Sequence, residues 1–176
     1  MREYFETHPP RCLGGFDVMP VELVGAVFDG HGEALNPVFQ VRCKCGHDKG
    51  IIKGYFWVNP DNADNRVLFM STISVTCAEC GTTRELIDTD KHGHDVEIGG
   101  FSCTGRSQGT EGSYQCAKCG SENMEVFMRF EYSEELFDDD FVEARGREQD
   151  LFSWFSLHGR CGECGTTADI TDFECA

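Results

Sequence analysis

The chain has 176 residues, of which 31 are acidic and 15 basic, so its formal net charge at pH 7 is −16. This charge repels phosphate backbones and anionic lipid surfaces, which argues against nucleic acid or membrane partners and favours a protein partner with a basic surface. The first residues lack the apolar core of a signal peptide, and no stretch is apolar enough to span a membrane. Eleven cysteines in such a chain indicate metal-binding thiols in a reducing cytoplasm.

The first half of the chain predicts a series of strands. Residues 1–20 are interrupted by Pro9-Pro10 and Gly14-Gly15 and are predicted to be irregular. Apolar or alternating residues then predict strands over 21–28, 37–41, 51–58, 66–76 and 84–87. In the strand over 66–76, four apolar residues are expected on one face, namely Val67, Phe69, Ile73 and Val75. A polar loop is predicted over 88–95.

The second half begins with a predicted linker that is rich in Gly, Ser and Thr and extends over 99–113. Alternating apolar residues predict a strand over 124–132, and a returning strand is predicted over 151–157. Ile170 and Phe173 indicate a short last strand. Between these strands, residues 133–150 form the one helical candidate, because Ser133 can cap a helix and Gly146 can end it.

Four close cysteine pairs, each followed by glycine, are the main chemical feature of the sequence. They are Cys43-Lys44-Cys45-Gly46, Cys77-Ala78-Glu79-Cys80-Gly81, Cys116-Ala117-Lys118-Cys119-Gly120 and Cys161-Gly162-Glu163-Cys164-Gly165. A tight turn can aim both sulfurs of such a pair at one metal, and the glycine permits the positive φ that the turn needs. The spacing predicts one metal site of Cys43, Cys45, Cys77 and Cys80, and a second of Cys116, Cys119, Cys161 and Cys164. The first pair has one intervening residue where the others have two, so His47 is a candidate substitute ligand.

The cysteine pairs also reveal an internal repeat. Residues 77–83 recur as residues 161–167 with six of seven identical, at an offset of 84. Lys44-Cys45-Gly46 recurs as Lys118-Cys119-Gly120 at an offset of 74, and we attribute the difference of ten residues between the two offsets to an insertion within 133–150. We therefore predict a duplication, with residues 1–98 forming the N-terminal segment and first lobe, and residues 99–176 the linker and second lobe.

The cysteine knuckles and the strands between them resemble the zinc-ribbon class, in tandem, over about residues 38–90 and 114–173. The resemblance implies a mainly β fold of two antiparallel lobes, each with a structural zinc site of four cysteines, and the insertion adds one short helix. It implies no single function, because zinc ribbons serve in transcription, translation, enzyme subdomains and protein docking. Rubredoxins carry similar knuckles, so iron for electron transfer is the alternative to two Zn²⁺ ions, although the long hairpins favour zinc.

His92, His94 and Asp95 form a second cluster with metal-ligand character. Two histidines beside carboxylates could hold a hydrolytic metal, which makes a metal-dependent enzyme the alternative function. A polar loop in which His92 or His94 bonds to the backbone is the preferred interpretation. The cluster has no counterpart after Cys164, and this asymmetry counts in favour of a functional role. The leading hypothesis is a non-catalytic protein-interaction module, since four-cysteine sites leave no coordination position for substrate. Cys12, Cys103 and Cys175 are expected to be buried apolar residues.

The insertion is the predicted docking feature. Nine acidic residues lie within 131–150, together with the apolar Leu136, Phe137, Phe141 and Val142. These apolar residues are expected either to pack on the ribbon as a helix or to anchor a basic partner that the acidic residues steer.

Overall fold

The computed structural model describes residues 2–21, 36–58, 67–94, 97, 109–137 and 145–175, and the structural statements below concern these residues. Helix α1 (Arg2–Thr7) and a 3-10 turn (Arg11–Gly15) open the chain. The described part of the chain then contains nine strands: β1 (Asp17–Pro20), β2 (Val38–Arg42), β3 (Lys49–Val58), β4 (Val67–Cys77), β5 (Thr83–Ile87), β6 (Thr110–Ser113), β7 (Asn123–Glu131), β8 (Trp154–Cys161) and β9 (Thr167–Glu174).

The nine strands form one antiparallel, curled sheet. Its main order is β1-β2-β7-β3-β4-β5, with β6 paired to β3, and with β8 between β7 and β9. The predicted mainly β fold class is therefore confirmed. None of the described helices has the length and apolar character needed to cross a membrane.

The alternation of apolar and polar residues explains the strands at the centre of the sheet. In β7, Met124, Val126, Met128 and Phe130 are buried, whereas the residues between them are half-buried except for Phe127. A register shift of one residue would turn this apolar row away from the core, so burial fixes the register of β7.

One hydrophobic core serves both halves of the chain. Phe39 and Ile52 from the first half and Phe130 and Phe155 from the second are all fully buried in a single cluster. Burial of apolar surface at this scale is the main source of folding free energy. The strands of the two halves are therefore held by a shared core as well as by a shared sheet.

The strand ladders of the two halves have the same register. At the centre, Lys49, Gly50 and Ile51 pair with Glu125, Met124 and Asn123. When each of these residues is replaced by the one 74 positions away in the other half, the same three pairs result. The first knuckle is one residue shorter than its counterpart, so the residues before it match at an offset of 73. With that offset the exchange turns Gln40↔Phe127 into Lys53↔Ser113, which is also a pair in the sheet. The central ladder is thus symmetric with respect to exchange of the halves.

The outer ladders repeat this agreement at the offset of 84. Ser74↔Glu85 in β4–β5 corresponds to His158↔Asp169 in β8–β9. Even the irregularity recurs, because the register shifts between Ile73 and Ser74 and again between Leu157 and His158.

The N-terminal segment differs from the prediction. Residues 1–20 were expected to be irregular, which is wrong, because they contain α1, a 3-10 turn and β1. Phe5, Leu13 and Phe16 are buried in the core, and Phe5 stacks on Tyr132 with ring centroids 4.1 Å apart. Packing against the second half therefore orders a segment whose local sequence gives only turn signals.

Three other expectations need correction. The predicted linker contains β6, because β3 supplies a pairing edge for residues 110–113. Val67 does not share the buried face of β4 and is 55% exposed near the end of its hairpin. The described ends of the helical candidate form 3-10 turns, at Glu134–Phe137 and Glu148–Asp150, and residues 138–144 lie outside the described part.

Two further predictions fall largely on residues that the structure does not describe. The strand predicted over 21–28 is one, since only Val21 is described and lies outside a strand. The division of the chain at residue 98 is the other, and it stays a prediction.

Candidate metal centres

The four cysteine knuckles occupy two kinds of position in the sheet. The knuckles of Cys77 and Cys161 lie at the tips of the hairpins β4–β5 and β8–β9. The other two interrupt a strand: Val41 pairs with Val126 and Lys49 with Glu125, so residues 42–48 leave the ladder between two adjacent partners. In the same way, β6 and β7 both pair with β3, and the knuckle of Cys116 leaves the ladder between these two strands.

Each knuckle is closed by its own backbone. The amide of the glycine donates to the carbonyl of the first cysteine, over 2.8 Å at Gly46 and Gly120 and 3.0 Å at Gly81 and Gly165. All four glycines have positive φ, between 69° and 90°. A side chain would strain this conformation, which explains the glycine after every pair.

The sheet brings the eight predicted ligands into two groups. The first cage consists of Cys43, Cys45, Cys77 and Cys80, and the second cage of Cys116, Cys119, Cys161 and Cys164. Within each cage all sulfurs lie within 4.8 Å of one another. The sulfur pairs Cys43–Cys80, Cys45–Cys77 and Cys116–Cys164 are 3.6 Å apart, and Cys119–Cys161 is 3.5 Å.

These separations fit a tetrahedral metal. Four sulfurs at 2.3 Å from a zinc ion stand about 3.8 Å from one another, close to the observed spacing. A disulfide would require about 2.05 Å, and every described cysteine is a free thiol. The eight cysteines therefore form two sets of donors that are compatible with structural metal sites.

Backbone amides face the second sulfur of every knuckle. The amides of His47, Thr82, Ser121 and Thr166, each two residues after a cysteine, hydrogen-bond to Cys45, Cys80, Cys119 and Cys164. Such bonds stabilise the thiolate, which is the form that binds metal.

Threonine hydroxyls reinforce one sulfur in each cage. Thr82 Oγ1 lies 3.3 Å from Cys80 Sγ, and Thr166 Oγ1 lies 3.2 Å from Cys164 Sγ. The hydroxyl, followed by the backbone amide of the same threonine, lowers the pKa of Cys80 and of Cys164 to about 6. The repeated Cys-Gly-Thr-Thr contains these threonines, but spacing arguments consider only the cysteines and leave them unassigned.

His47 is not brought into the first cage as a ligand. The carbonyl of His47 accepts from the amide of Cys43 over 2.9 Å, and its amide bonds to Cys45 Sγ. Within the described part of the chain, the two cages are the only groups of three or more mutually close His, Cys, Asp or Glu ligand atoms. The single residue between Cys43 and Cys45 is compatible with a complete four-sulfur group.

His92 and His94 lie in a turn stabilised by the backbone. Nδ1 of His92 accepts from the amide of Asp88 over 3.0 Å, and burial lowers the pKa of His92. The amide of His94 donates to the carbonyl of Phe152 over 2.9 Å. Asp95 lies outside the described residues, and neither histidine belongs to a described group of metal-ligand atoms.

A cavity of about 210 Å³ lies beside His92. Its charged lining residues all have ion-pair partners. The amide of Arg11 donates to Asp150 over 2.7 Å, and the guanidinium of Arg11 forms an ion pair with the same carboxylate. Lys91 pairs with Glu85 and Asp88, and Glu97 pairs with Arg147. Cys12 also lines the cavity, and burial raises the pKa of its thiol. The cavity is therefore lined by a buried thiol and by charged groups that already have partners.

Comparison with protein-family models, with curated proteins and with solved structures finds no match to this chain.

Proposed function

We propose that the chain is a cytoplasmic, non-catalytic protein-interaction module that two structural Zn²⁺ ions stabilise. The observation that carries the metal assignment is the pair of four-sulfur cages with tetrahedral spacing. Four thiolates complete the coordination of zinc and leave no position for a substrate, so the ions would serve the fold. The ten described cysteines are free thiols, which agrees with a reducing compartment.

Metal analysis of the purified protein tests this assignment. We expect two zinc ions per chain by elemental analysis and no visible absorption. A red protein with iron-thiolate bands would instead support the electron-transfer alternative. Disulfides within the cages of protein purified under reducing conditions would contradict both assignments.

For the interaction, we propose a basic protein that docks on the acidic insertion. The described ends of the insertion are attached to the rest of the fold by two contacts. Leu136 is buried in the core, and the hydroxyl of Tyr132 donates to the carbonyl of Gln149 over 2.8 Å. Leu136 is therefore a core residue and not a docking anchor. Glu134 and Glu135 beside it are exposed. The residues left for docking are 138–144, where four acidic side chains flank Phe141 and Val142.

A replacement of residues 138–144 by a Gly-Ser turn tests the docking proposal, because it leaves Leu136 and Tyr132 in place. Binding is measured by fluorescence anisotropy on peptides in which Lys and Arg alternate with apolar residues. We expect the replacement to abolish binding, since it removes both the apolar anchor and the steering charges.

A matched control changes the same number of charges elsewhere. Four exposed acids distant in sequence from the insertion are neutralised together: Asp17→Asn, Glu79→Gln, Glu111→Gln and Glu163→Gln. This control should retain most of the binding. Equal losses in both variants would show only long-range attraction, and unchanged binding after the replacement would overturn the docking proposal while leaving the metal assignment intact.

A further inference from the structure

The two cages differ in how far the fold buries them. In the first cage only Cys77 is buried, Cys43 is half-buried, and Cys45 and Cys80 are exposed; in the second, Cys116 and Cys161 are buried, Cys164 is half-buried and Cys119 is exposed. Cys116 and Cys161 are members of the hydrophobic core, to which no cysteine of the first cage belongs. The first cage therefore lies nearer the surface, and two of the four sulfurs of the second cage belong to the core.

The solvent exposure of the two cages differs most at one pair of corresponding sulfurs. Cys43 and Cys80 are 3.6 Å apart, and both can be reached from solvent. Their counterparts Cys116 and Cys164 are also 3.6 Å apart, but Cys116 is only 4% exposed. Oxidation of thiolates follows exposure, so the two pairs should react at different rates although their geometry is the same.

We propose that the first cage is a peroxide-sensitive switch, in which Cys80 and Cys43 form a disulfide and the first metal is released while the second cage stays closed. The proposal rests on the proposed function in one respect, namely that both cages hold zinc.

The chemistry needs only the two cysteines and a peroxide. The thiolate of Cys80 attacks one oxygen of hydrogen peroxide, which breaks the O–O bond, forms a sulfenic acid and releases hydroxide. The thiolate of Cys43 then attacks the sulfenic sulfur and displaces a second hydroxide, so that a disulfide forms. The two cysteines lose two electrons, and the peroxide gains them. Two of the four ligands are lost, which leaves too few donors to retain the ion.

The position of the first cage determines what this switch changes. Its two knuckles are the loop at residues 42–48 and the tip of hairpin β4–β5, which the metal holds together. The strands on both sides keep their pairing, because β7 pairs with β2 and β3 independently of the knuckle. Oxidation therefore replaces the metal by a covalent link between the two knuckles, releases Cys45 and Cys77 from coordination and leaves the sheet in place.

The experiment exposes the zinc-loaded full chain to hydrogen peroxide and follows zinc release with a chromogenic chelator. Isotope-coded alkylation and mass spectrometry then read the state of each cysteine. We expect the first ion to leave at least about tenfold faster than the second, in step with a peptide cross-linked through Cys43 and Cys80. A thiol reductant with added zinc should restore two ions per chain.

Controls separate this proposal from its alternatives. Replacing Cys12 and Cys103 by serine should leave the response unchanged, whereas Cys43→His keeps four ligands and should slow release from the first cage. Release of both ions at one rate, release from the second cage first, or a disulfide elsewhere would overturn the proposal. A protein that contains no zinc before peroxide is added contradicts the proposed function instead, and the elemental analysis that precedes oxidation distinguishes the two failures.

Discussion

Cys161 is both a predicted metal ligand and a core side chain, since it is 1% exposed and belongs to the hydrophobic cluster. Cys161→Ser should therefore remove the second metal and abolish cooperative unfolding. Structural zinc contributes roughly 10–16 kcal/mol in model peptides, as much as the roughly 5–15 kcal/mol that stabilises a whole domain. Metal content and thermal unfolding followed by circular dichroism measure both effects.

The contrasting substitution at the first cage is Cys80→Ser, because Cys80 is exposed and outside the core. We expect one retained zinc and a cooperative transition at a lower temperature. If Cys80→Ser unfolds the chain as fully as Cys161→Ser, the two cages do not differ in their coupling to the core.

His92 should make stability depend on pH. Burial lowers its pKa below the ordinary 6.5, so the folded state favours the neutral ring, whose Nδ1 accepts from Asp88. The resulting stability is present above pH 6.5 and is lost as the pH falls through the lower folded-state pKa. The neighbouring charges are Glu85, Asp88, Lys91 and Asp150, and the carboxylates among them only partly offset the effect of burial.

The substitution His92→Asn tests this dependence, because the amide oxygen can accept the same hydrogen bond without titrating. Between pH 7 and pH 5, the unfolding midpoint of the variant should fall by less than that of the parent. Both proteins lose metal in acid to the same extent, so subtracting one fall from the other removes that contribution. NMR of the parent should show His92 protonated on Nε2 at neutral pH. A ring protonated on Nδ1 would contradict the hydrogen bond.

At the residue scale, the sequence allows the cysteines to be predicted but not their environments. Four sulfurs must converge on one metal, so spacing alone assigns them. The threonine contacts to Cys80 and Cys164 depend on turn geometry, and the unequal burial of the cages depends on which strands cover them. Neither follows from spacing. Spacing also permits His47 as a ligand, whereas in the structure its backbone closes the knuckle by accepting from the amide of Cys43.

Among the elements, β3 is packed closely against β4 at Gly50. A Cβ atom added there would lie 2.7 Å from the carbonyl oxygen of Thr76 and 2.7 Å from Val75 Cγ1. Since a backbone atom cannot move away without breaking the β3–β4 ladder, Gly50→Ala should destabilise the protein by about 1–3 kcal/mol. Chemical denaturation measures the change.

Gly14→Ala is the control for this prediction, because no atom lies within 4 Å of its added Cβ and its φ is not positive. It should change stability by less than about 0.5 kcal/mol. Equal stability of the Gly50→Ala variant and the parent would mean that β3 and β4 do not approach as closely as described.

The predictability of the strands follows from their burial. β3, β4 and β7 are long and alternate, so their periodicity predicts them. β1 and β6 have only four residues each, none of them buried, so they owe their conformation to the edges of β2 and β3. The N-terminal helix is likewise stabilised by contacts of Phe5 that no local pattern encodes.

At the scale of the whole molecule, the identical registers support the hypothesis of a duplication. The central β3–β7 ladder maps onto itself when the halves are exchanged, and the outer ladders share an irregularity at the same position. Two related lobes were predicted from the repeat. Their union in one sheet was not predictable, because the interrupted strands around Cys43 and Cys116 read as ordinary turns.

A shared sheet and core predict that the two halves unfold together. The chain has one tryptophan in each half, Trp57 in β3 and Trp154 in β8. Trp154→Phe leaves Trp57 to report on the first half, and Trp57→Phe leaves Trp154 to report on the second. With zinc bound, both should give one coincident denaturation curve, since β7 pairs with β2, β3 and β8 and cannot lose one partner alone without exposing the common core. Each curve is compared with circular dichroism of the same variant, which controls for the effect of the substitution on stability. The halves would be independent domains, as the division at residue 98 predicts, if the fluorescence of one variant changed at a lower denaturant concentration than its circular dichroism and that of the other at a higher one.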